Sequence, residues 1–166
     1  MIESLGASDE TIASLAELLV EVTALGASVG FMHPLAFEKA AAYWRNALAD
    51  AAAGRRLVLG ERAGGRIIGT VSVVLAMPEN QRHRAEIQKL QVAQSHRRRG
   101  IARRLMAEAE SRAARAGKSL LVLDTASDAA ARLYEQIGWS RTGEIPDYAL
   151  FPNGEPCATA IYWKRV

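Results

Sequence analysis

The segment from Leu90 to Met106, which reads LQVAQSHRRRGIARRLM, constrains how the rest of the chain folds. An alternating apolar stretch ends at Val92, a short polar linker follows, and Arg97-Arg98-Arg99-Gly100 then leads into a helix. Apolar and small side chains recur at helical spacing and predict the buried stripe of this helix: Ala102, Leu105, Met106, Ala109, Ala113 and Ala116. The segment therefore predicts a strand, a polar turn and a long amphipathic helix.

The arginines of this segment lie at the helix end where positive charge is unfavourable. Arg97, Arg98, Arg99, Arg103 and Arg104 surround the helix N-terminus. Each exposed cation there costs about 0.3–1 kcal/mol against the helix dipole. Free backbone N–H groups and a dense positive field in one place suit a bound polyanion such as a pyrophosphate. A basic helix start that faces solvent explains the same pattern, so the cluster alone leaves both interpretations open.

Composition predicts one globular domain over residues 1–166. Hydrophobic residues make up 49% of the chain and charged residues 23%, which excludes a disordered or fibrous protein. The formal net charge is +3, and setting aside the five arginines leaves −2, so the basic charge is local. A protein that binds nucleic acid over a whole surface would spread its charge more widely. We therefore expect no nucleic-acid partner.

Two features of the sequence bear on the compartment. Cys157 is the only cysteine, so no internal disulfide can form, in agreement with a reducing environment. The N-terminus has no basic region followed by an apolar one, and the longest uncharged stretch, Val22 to Phe37, contains Gly, Ser, His and Pro. We expect a cytoplasmic protein with neither a signal peptide nor a membrane span.

Two helices are predicted near the N-terminus. Ser8 or Asp9 can cap the first, and Pro34 is well placed to open the second, which runs to about Ala53. Together with their connecting loop, these helices are consistent with a lid over one end of a sheet. A structural role is favoured for three side chains of this region, with a substrate contact as the alternative: His33, Tyr43 and Trp44.

Further strands are predicted on both sides of the opening segment. Segments 56–62 and 66–77 are rich in Val, Ile and Leu, and the hairpin signal Ala63-Gly64-Gly65 lies between them. After Trp139 to Glu144, a turn-rich stretch runs through Pro146, Pro152 and Pro156, with Asn153-Gly154 as a predicted hairpin tip, and a final strand covers residues 158–164.

The strand before the arginines carries a carboxylate. Segment 83–92 alternates, which predicts that Glu86 and Gln88 share a face with Leu90 and Val92. The Glu86 carboxylate then lies either at a solvated edge, which composition favours, or in a cleft.

A second carboxylate ends the strand that follows the long helix. The nearly continuous apolar run from Ser119 to Asp124 predicts a strand buried on both faces. A strand–helix–strand order implies parallel pairing of this strand with segment 83–92. Ligands of such sheets bind outside the carboxyl ends of the strands, where Val92 and Asp124 lie. A further helix is predicted from Ser127 to Ile137.

Three motifs in this order resemble those of the GNAT acyltransferase superfamily. Residues Arg97 to Ala102 match its R/Q-x-x-G-x-G/A signature, and Leu90-x-Val92 precedes them as in the family's fourth strand. The later helix contains Leu133-Tyr134-Glu135-x-x-Gly138-Trp139, similar to the family's LYExxGF element. The stretches Leu121 to Thr125 and Ile145 to Leu150 look like the branch that includes tabtoxin-resistance acetyltransferase.

The resemblance implies an α/β (α+β) fold with a mixed central sheet of about six to seven strands and about four flanking helices. It also implies acetyl-CoA as cosubstrate, with backbone amides of Arg97 to Ala102 around the pyrophosphate. An amide near Leu90 would polarise the thioester carbonyl. No metal is expected. The cofactor-binding residues so implied are Leu90, Gln91, Val92, Arg97, Arg98, Arg99, Gly100, Ile101, Ala102, Arg103 and Ser127, the last standing where many family members have Asn.

Catalytic roles follow from the same resemblance. The acetyl group would pass directly to an amine, and Glu86 and Asp124 are the candidates for taking the amine's proton, alone or through a water chain. Both could also bind a cationic amine. Tyr134 would lie near the CoA sulfur and protonate the departing thiolate, with a core tyrosine as the structural alternative.

The sequence thus predicts an acetyl-CoA-dependent N-acetyltransferase acting on a primary amine of a small molecule, with a toxin, an antibiotic or an amino-acid-like amine as candidates. It would act as a monomer or homodimer. An acyl-CoA-binding sensor module of the same fold, without transfer, is the alternative. The two differ in whether CoA thiol is released with a panel of amines. A nucleic-acid binder, which predicts salt-dependent binding, is disfavoured because the arginines fall inside the acyltransferase signature.

Overall fold

One mixed sheet of seven strands, with four helices packed on it, makes up this computed structural model, which describes residues 1–166. The sheet order is β1-β2-β3-β4-β5-β7-β6, and only β4 and β5 are parallel. The predicted fold class and numbers of strands and helices are confirmed. The strands are β1 (Ile2–Ser4), β2 (Arg56–Ala63), β3 (Arg66–Val74), β4 (Arg84–Val92), β5 (Leu120–Thr125), β6 (Ser140–Leu150) and β7 (Pro156–Arg165). The helices are α1 (Asp9–Ala24), α2 (Phe37–Ala52), α3 (Ile101–Arg115) and α4 (Asp128–Gln136).

The helices divide between the two faces of the sheet. α1 and α2 pack on one face of β2 to β4, around the fully buried Trp44. α3 packs on the other face, where a second core extends to Tyr162. Val58 and Leu59 are neighbours in β2 and belong to opposite cores, as the alternation of a strand requires. α1 and α2 therefore form a core layer on one face rather than the predicted lid over one end.

The N-terminal helices begin where local backbone geometry allows. The Ser8 hydroxyl accepts the backbone N–H of Thr11 at 3.2 Å and caps α1, as predicted. α2 begins at Phe37 and not at Pro34, because Leu35 is buried in the α1–α2 core and Ala36 stays extended. None of the four helices combines the length and apolar character needed to cross a membrane.

The stretch predicted to be turn-rich is mostly β6. Its pairing with β7 shifts between Ile145 and Ala149, and Asp147 in this interval has a φ of +52°. The irregularity accommodates Pro146, which has no N–H to offer to a regular ladder. The turn signal at Pro146 was thus produced by a bulge within a strand, whereas the predicted hairpin tip at Asn153-Gly154 is confirmed in the turn between β6 and β7.

β5 is buried on one face only, so the prediction of burial on both faces is wrong. Leu121 and Leu123 lie in the α3-side core, whereas Val122 is half-buried and Asp124 is solvent-accessible. The reason is that α1 and α2 pack over β2 to β4 and leave the same face of β5 uncovered. This uncovered face is where the candidate site lies.

Candidate active site

The parallel pairing of β4 and β5 stops after three residue pairs. Arg84 pairs with Leu120, Ala85 with Leu121 and Glu86 with Val122. β4 continues to Val92 and β5 to Thr125 without further pairing. The two strands therefore leave an opening at their carboxyl ends, the place where the predicted parallel unit would bind a ligand.

A bulge at Lys89 changes the direction of the side chains that follow it. Lys89 has a φ of +54°, and the β3–β4 register changes from Ser72↔Gln88 to Thr70↔Gln91. One extra residue is thus inserted into β4, which reverses the alternation. Leu90 and Val92 consequently pack against the same core as Ala85 and Ile87. The prediction that they share a face with Glu86 is wrong.

The turn before α3 presents a row of unused backbone donors. Arg98 and Gly100 both have left-handed backbone conformations, with φ of +64° and +74°. From Arg98 to Arg103, six consecutive N–H groups have no acceptor in the chain, and the first helical bond runs from Arg104 N–H to Gly100 O. No side chain caps this helix. Such an array of amides suits the oxygens of a phosphate.

Arg104 differs from the other arginines of this turn. Its guanidinium contacts the Glu61 carboxylate at 2.8 and 3.0 Å, and this hydrogen bond raises the pKa of Arg104. It also donates to the carbonyl of Arg99 at 3.0 Å, so it holds the turn against β2. The five-arginine cluster of the sequence is therefore a four-arginine cluster, without carboxylate partners, plus one structural arginine. The four are Arg97, Arg98, Arg99 and Arg103.

Glu86 and Asp124 lie in a cleft and not at a solvated edge. Both line a cavity of about 130 Å³ on the uncovered face of β5, together with Val122, Leu123, Tyr148 and Ile161. Gln88 donates to the Glu86 carboxylate at 2.8 Å, and Arg84 lies 3.9 Å from it. The two predicted catalytic carboxylates are thus brought together on neighbouring strands.

Asp124 is the carboxylate whose acidity the site changes. Partial burial raises the pKa of Asp124 above its ordinary value, and the nearby negative charge of Glu86 raises it further. The Lys89 ammonium acts in the opposite direction. A carboxylate with a raised pKa is a more effective proton acceptor near neutral pH than an ordinary one.

Tyr134 packs against two aromatic rings, and its hydroxyl has a raised pKa. It is 5% exposed, and its ring lies 6.0 Å from that of Trp139 and 5.8 Å from that of Tyr162. Burial raises the pKa of Tyr134 well above its usual value, with Asp124 adding to the effect. The hydroxyl therefore stays protonated at neutral pH.

Ser127 serves as the N-cap of α4. Its hydroxyl accepts the N–H of Ala130 at 3.3 Å, while its own N–H donates to the Thr125 hydroxyl at 3.1 Å. It also borders a larger cavity of about 570 Å³ between α4 and the β6–β7 hairpin. Any contact of Ser127 with a cofactor would have to be made beside this capping bond.

Sequence reasoning missed three residues of this region. Lys89 reaches across to the α1–α2 loop and α2, where its ammonium lies 5.2 Å from the Tyr43 ring centre. Arg56 donates to Gln88, which in turn holds Glu86. Tyr148 comes to the Glu86–Asp124 cavity from β6. A bulge at a non-glycine residue has no sequence signature, so the position of Lys89 could not be predicted.

A model of the acetyltransferase (GNAT) family matches residues 24–139, which is more than half of the chain. The chain belongs to this family. The match covers the turn before α3 and most of the elements around the opening, so the sequence resemblance is confirmed at the level of the family. The narrower likeness to the tabtoxin-resistance branch is not part of that match.

Solved structures of the family share the fold over the whole chain. A ribosomal-protein-alanine N-acetyltransferase from Brucella melitensis is 20% identical with a TM-score of 0.81, covering 100% of this chain and 99% of that one. A phosphinothricin acetyltransferase from Sinorhizobium meliloti in complex with AcCoA is 15% identical with a TM-score of 0.82, covering 100% and 88%. An N-acetyltransferase from Staphylococcus aureus Mu50 is 15% identical with a TM-score of 0.81, covering 99% and 97%.

Replacing Glu86 by Gln will lower the pKa of Asp124, because one of the two causes that raise it is the Glu86 charge. The measurement is a carboxyl carbon NMR titration of Asp124 in both proteins. Glu17→Gln, which removes a carboxylate paired with Arg66 on the α1 side, is the matched control and leaves the Asp124 titration in place. An Asp124 pKa that is unchanged or higher in Glu86→Gln contradicts the described geometry.

Proposed function

We propose that this protein is an N-acetyltransferase that transfers the acetyl group of acetyl-CoA directly to a primary amine of a small molecule. The observation that carries the proposal is the combination, at one opening of the sheet, of six free backbone N–H groups with a pair of carboxylates. The amides suit a phosphate chain, and the carboxylates suit an amine that must lose a proton.

The residues present fit the cosubstrate. The free amides from Arg98 to Arg103 would surround the pyrophosphate, since the N–H of Arg97 donates to Gln94, and the cluster of four arginines would supply charge around it. Leu90, Gln91 and Val92 would offer backbone groups to the pantetheine arm on the side of β4 that no longer pairs with β5. The Gln91 side chain is buried, so only its backbone is available there. Ser127 would contact the arm from the start of α4.

The chemistry divides between the two strands and α4. Acetyl-CoA supplies an acyl thioester, so the new N–C bond forms as the C–S bond breaks. Asp124, with its raised pKa and with Glu86 beside it, accepts the amine's proton directly or through water. An amide near Leu90 stabilises negative charge on the carbonyl oxygen. Tyr134 keeps its proton and can give it to the leaving sulfur.

The acceptor is proposed only as a small-molecule amine. The related structures carry names with different acceptors, a ribosomal-protein alanine and phosphinothricin, so family membership does not select one. A tabtoxin-like amine is one such acceptor that the sequence resemblance suggests, and the placement of Glu86 and Asp124 on neighbouring strands suits a cationic amine in general. The unpaired Cys157 is compatible with a cytoplasmic protein, which acts as a monomer or homodimer without nucleic acid or membrane.

Two glycines of left-handed conformation, one at each end of α3, give a matched test of cofactor binding. Acetyl-CoA will raise the melting temperature of the wild-type protein, and Gly100→Glu will abolish this shift because a carboxylate would stand among the phosphate-binding amides. Gly117→Glu, with a φ of +78° and open space around it, suffers similar backbone strain and keeps the shift. No shift in the wild-type protein at saturating acetyl-CoA overturns the proposal.

Tyr134→Phe will lower kcat for CoA-thiol release by about tenfold or more, as expected for loss of a general acid, with little change in the Kd of acetyl-CoA. The control is Tyr162→Phe, which removes a neighbouring hydroxyl bonded to Glu135 outside the proposed chemistry. An unchanged kcat in Tyr134→Phe leaves this residue with a packing role. Cofactor binding without thiol release on any amine favours the sensor module.

A further inference from the structure

The ammonium of Lys89 has no anionic partner in the chain. It is half-buried, yet it makes no hydrogen bond and no carboxylate lies within 4.0 Å of it. Its nearest neighbours are two aromatic rings, Phe31 at 5.8 Å and Tyr43 at 5.2 Å from ring centre to nitrogen. Contact with ring faces stabilises a cation but leaves its three N–H donors free.

The bulge in β4 is what places this cation on the acceptor side. A regular strand would direct Lys89 into the α3-side core with Ala85 and Ile87. The left-handed backbone at Lys89 turns it to the opposite face, where a Cβ on Gly30 would lie only 3.5 Å from the ammonium. Lys89 thus adopts a backbone conformation that is rare for non-glycine residues, and this conformation places its ammonium on the acceptor side of the sheet.

A buried donor beside Lys89 also lacks a partner. The Nε of Arg56 is buried without a hydrogen bond, whereas the Tyr43 hydroxyl has the Arg56 guanidinium as a neighbour, which acts against the rise that burial causes in the Tyr43 pKa. Arg56 uses only one other N–H, which donates to Gln88 at 3.3 Å. Buried polar groups in native proteins are nearly always satisfied, so the orphaned Nε of Arg56 near an unpaired ammonium indicates a missing acceptor.

The charges of the site fall into two groups that act on each other. Glu86 and Asp124 are the negative group at the cavity, and Lys89 with Arg56 is the positive group. Burial lowers the pKa of Lys89 and Arg56 lowers it further, whereas Asp124 and Glu86 oppose the change. Lys89 follows Glu86 by three residues in β4, which corresponds to about 10 Å along the strand. A small molecule held between these two long side chains can span that separation.

We infer that the amine acceptor also carries a carboxylate or similar anionic group, and that Lys89, assisted by Arg56, binds it. The inference rests on the proposed function and narrows its acceptor to amino-acid-like molecules. The carboxylates of Glu86 and Asp124 receive the amine end, and the ammonium of Lys89 receives the anionic end. An amine without an anionic group would leave Lys89 and the Arg56 Nε unpaired, which is the costly arrangement.

The test compares amines that differ only in the anionic group. The probes are the common L-amino acids, the matching L-amino-acid amides and the matching decarboxylated amines, each assayed for CoA-thiol release with acetyl-CoA. We expect a subset of the acids to be accepted with kcat/KM at least about tenfold above the corresponding amide and amine, as for a site built to pair a buried charge.

Lys89→Met then separates binding of the anion from proton transfer. It will raise KM for the acids by about tenfold or more while kcat stays within about threefold, and Lys89→Arg will recover part of the loss. The KM of the amides, which have no anionic group to bind, will not change in either variant. Lys39→Met, at an exposed lysine of α2, is the control. The acetyl-CoA melting shift of each variant shows that it is folded and binds cosubstrate.

Four outcomes overturn the inference without touching the proposed function. The first two are that amides are accepted as well as or better than the acids, and that decarboxylated amines are accepted equally well. The third is that the protein acetylates other amines but no acid. The fourth is that Lys89→Met lowers kcat by the same factor for acids and amides. The last would make Lys89 a proton acceptor. Failure of the proposed function has a different signature, since acetyl-CoA would then neither stabilise the protein nor release thiol with any amine. If no amine at all is acetylated, the inference fails together with the proposed function.

Discussion

The limited pairing of β4 with β5 is the constraint on which the rest of the site depends. After Glu86 and Val122 the two strands separate, and the opening exposes the backbone edge of β4 at the same end of the sheet where α3 begins. A fully paired parallel sheet would have no such edge. The missing α1–α2 cover over β5 adds an acceptor side to this opening. Cosubstrate and acceptor can therefore approach from different directions.

The charged groups at this opening form two regions, one suited to phosphate binding and one to proton transfer. At the start of α3, free amides and four unneutralised arginines create a field for phosphate, while Arg104 is withdrawn from it by Glu61 and holds the turn in place. On the strands, Glu86 raises the pKa of Asp124 and prepares it to accept a proton.

The sequence predicted the order of elements, the family and the proximity of Glu86 and Asp124 on neighbouring strands, because motifs and periodicity report local structure. It did not predict what tertiary contacts decide. The bulge at Lys89 reversed the faces of Leu90 and Val92, and a left-handed lysine has no local signal. Burial of β5 was overestimated because apolar residues do not reveal which face a helix will cover. The start of α2 was displaced because Leu35 is committed to the core.

The most direct test of the central claim, that phosphates lie at the start of α3 and the acyl arm lies along β4, is an amide NMR titration with acetyl-CoA. The account predicts that the largest shifts of ¹H and ¹⁵N resonances occur at two groups of backbone amides, 98–103 and 90–92. Amides at the far end of α3, such as that of Gly117, stay unchanged. Binding of acetyl-CoA that leaves amides 98–103 unshifted contradicts the account.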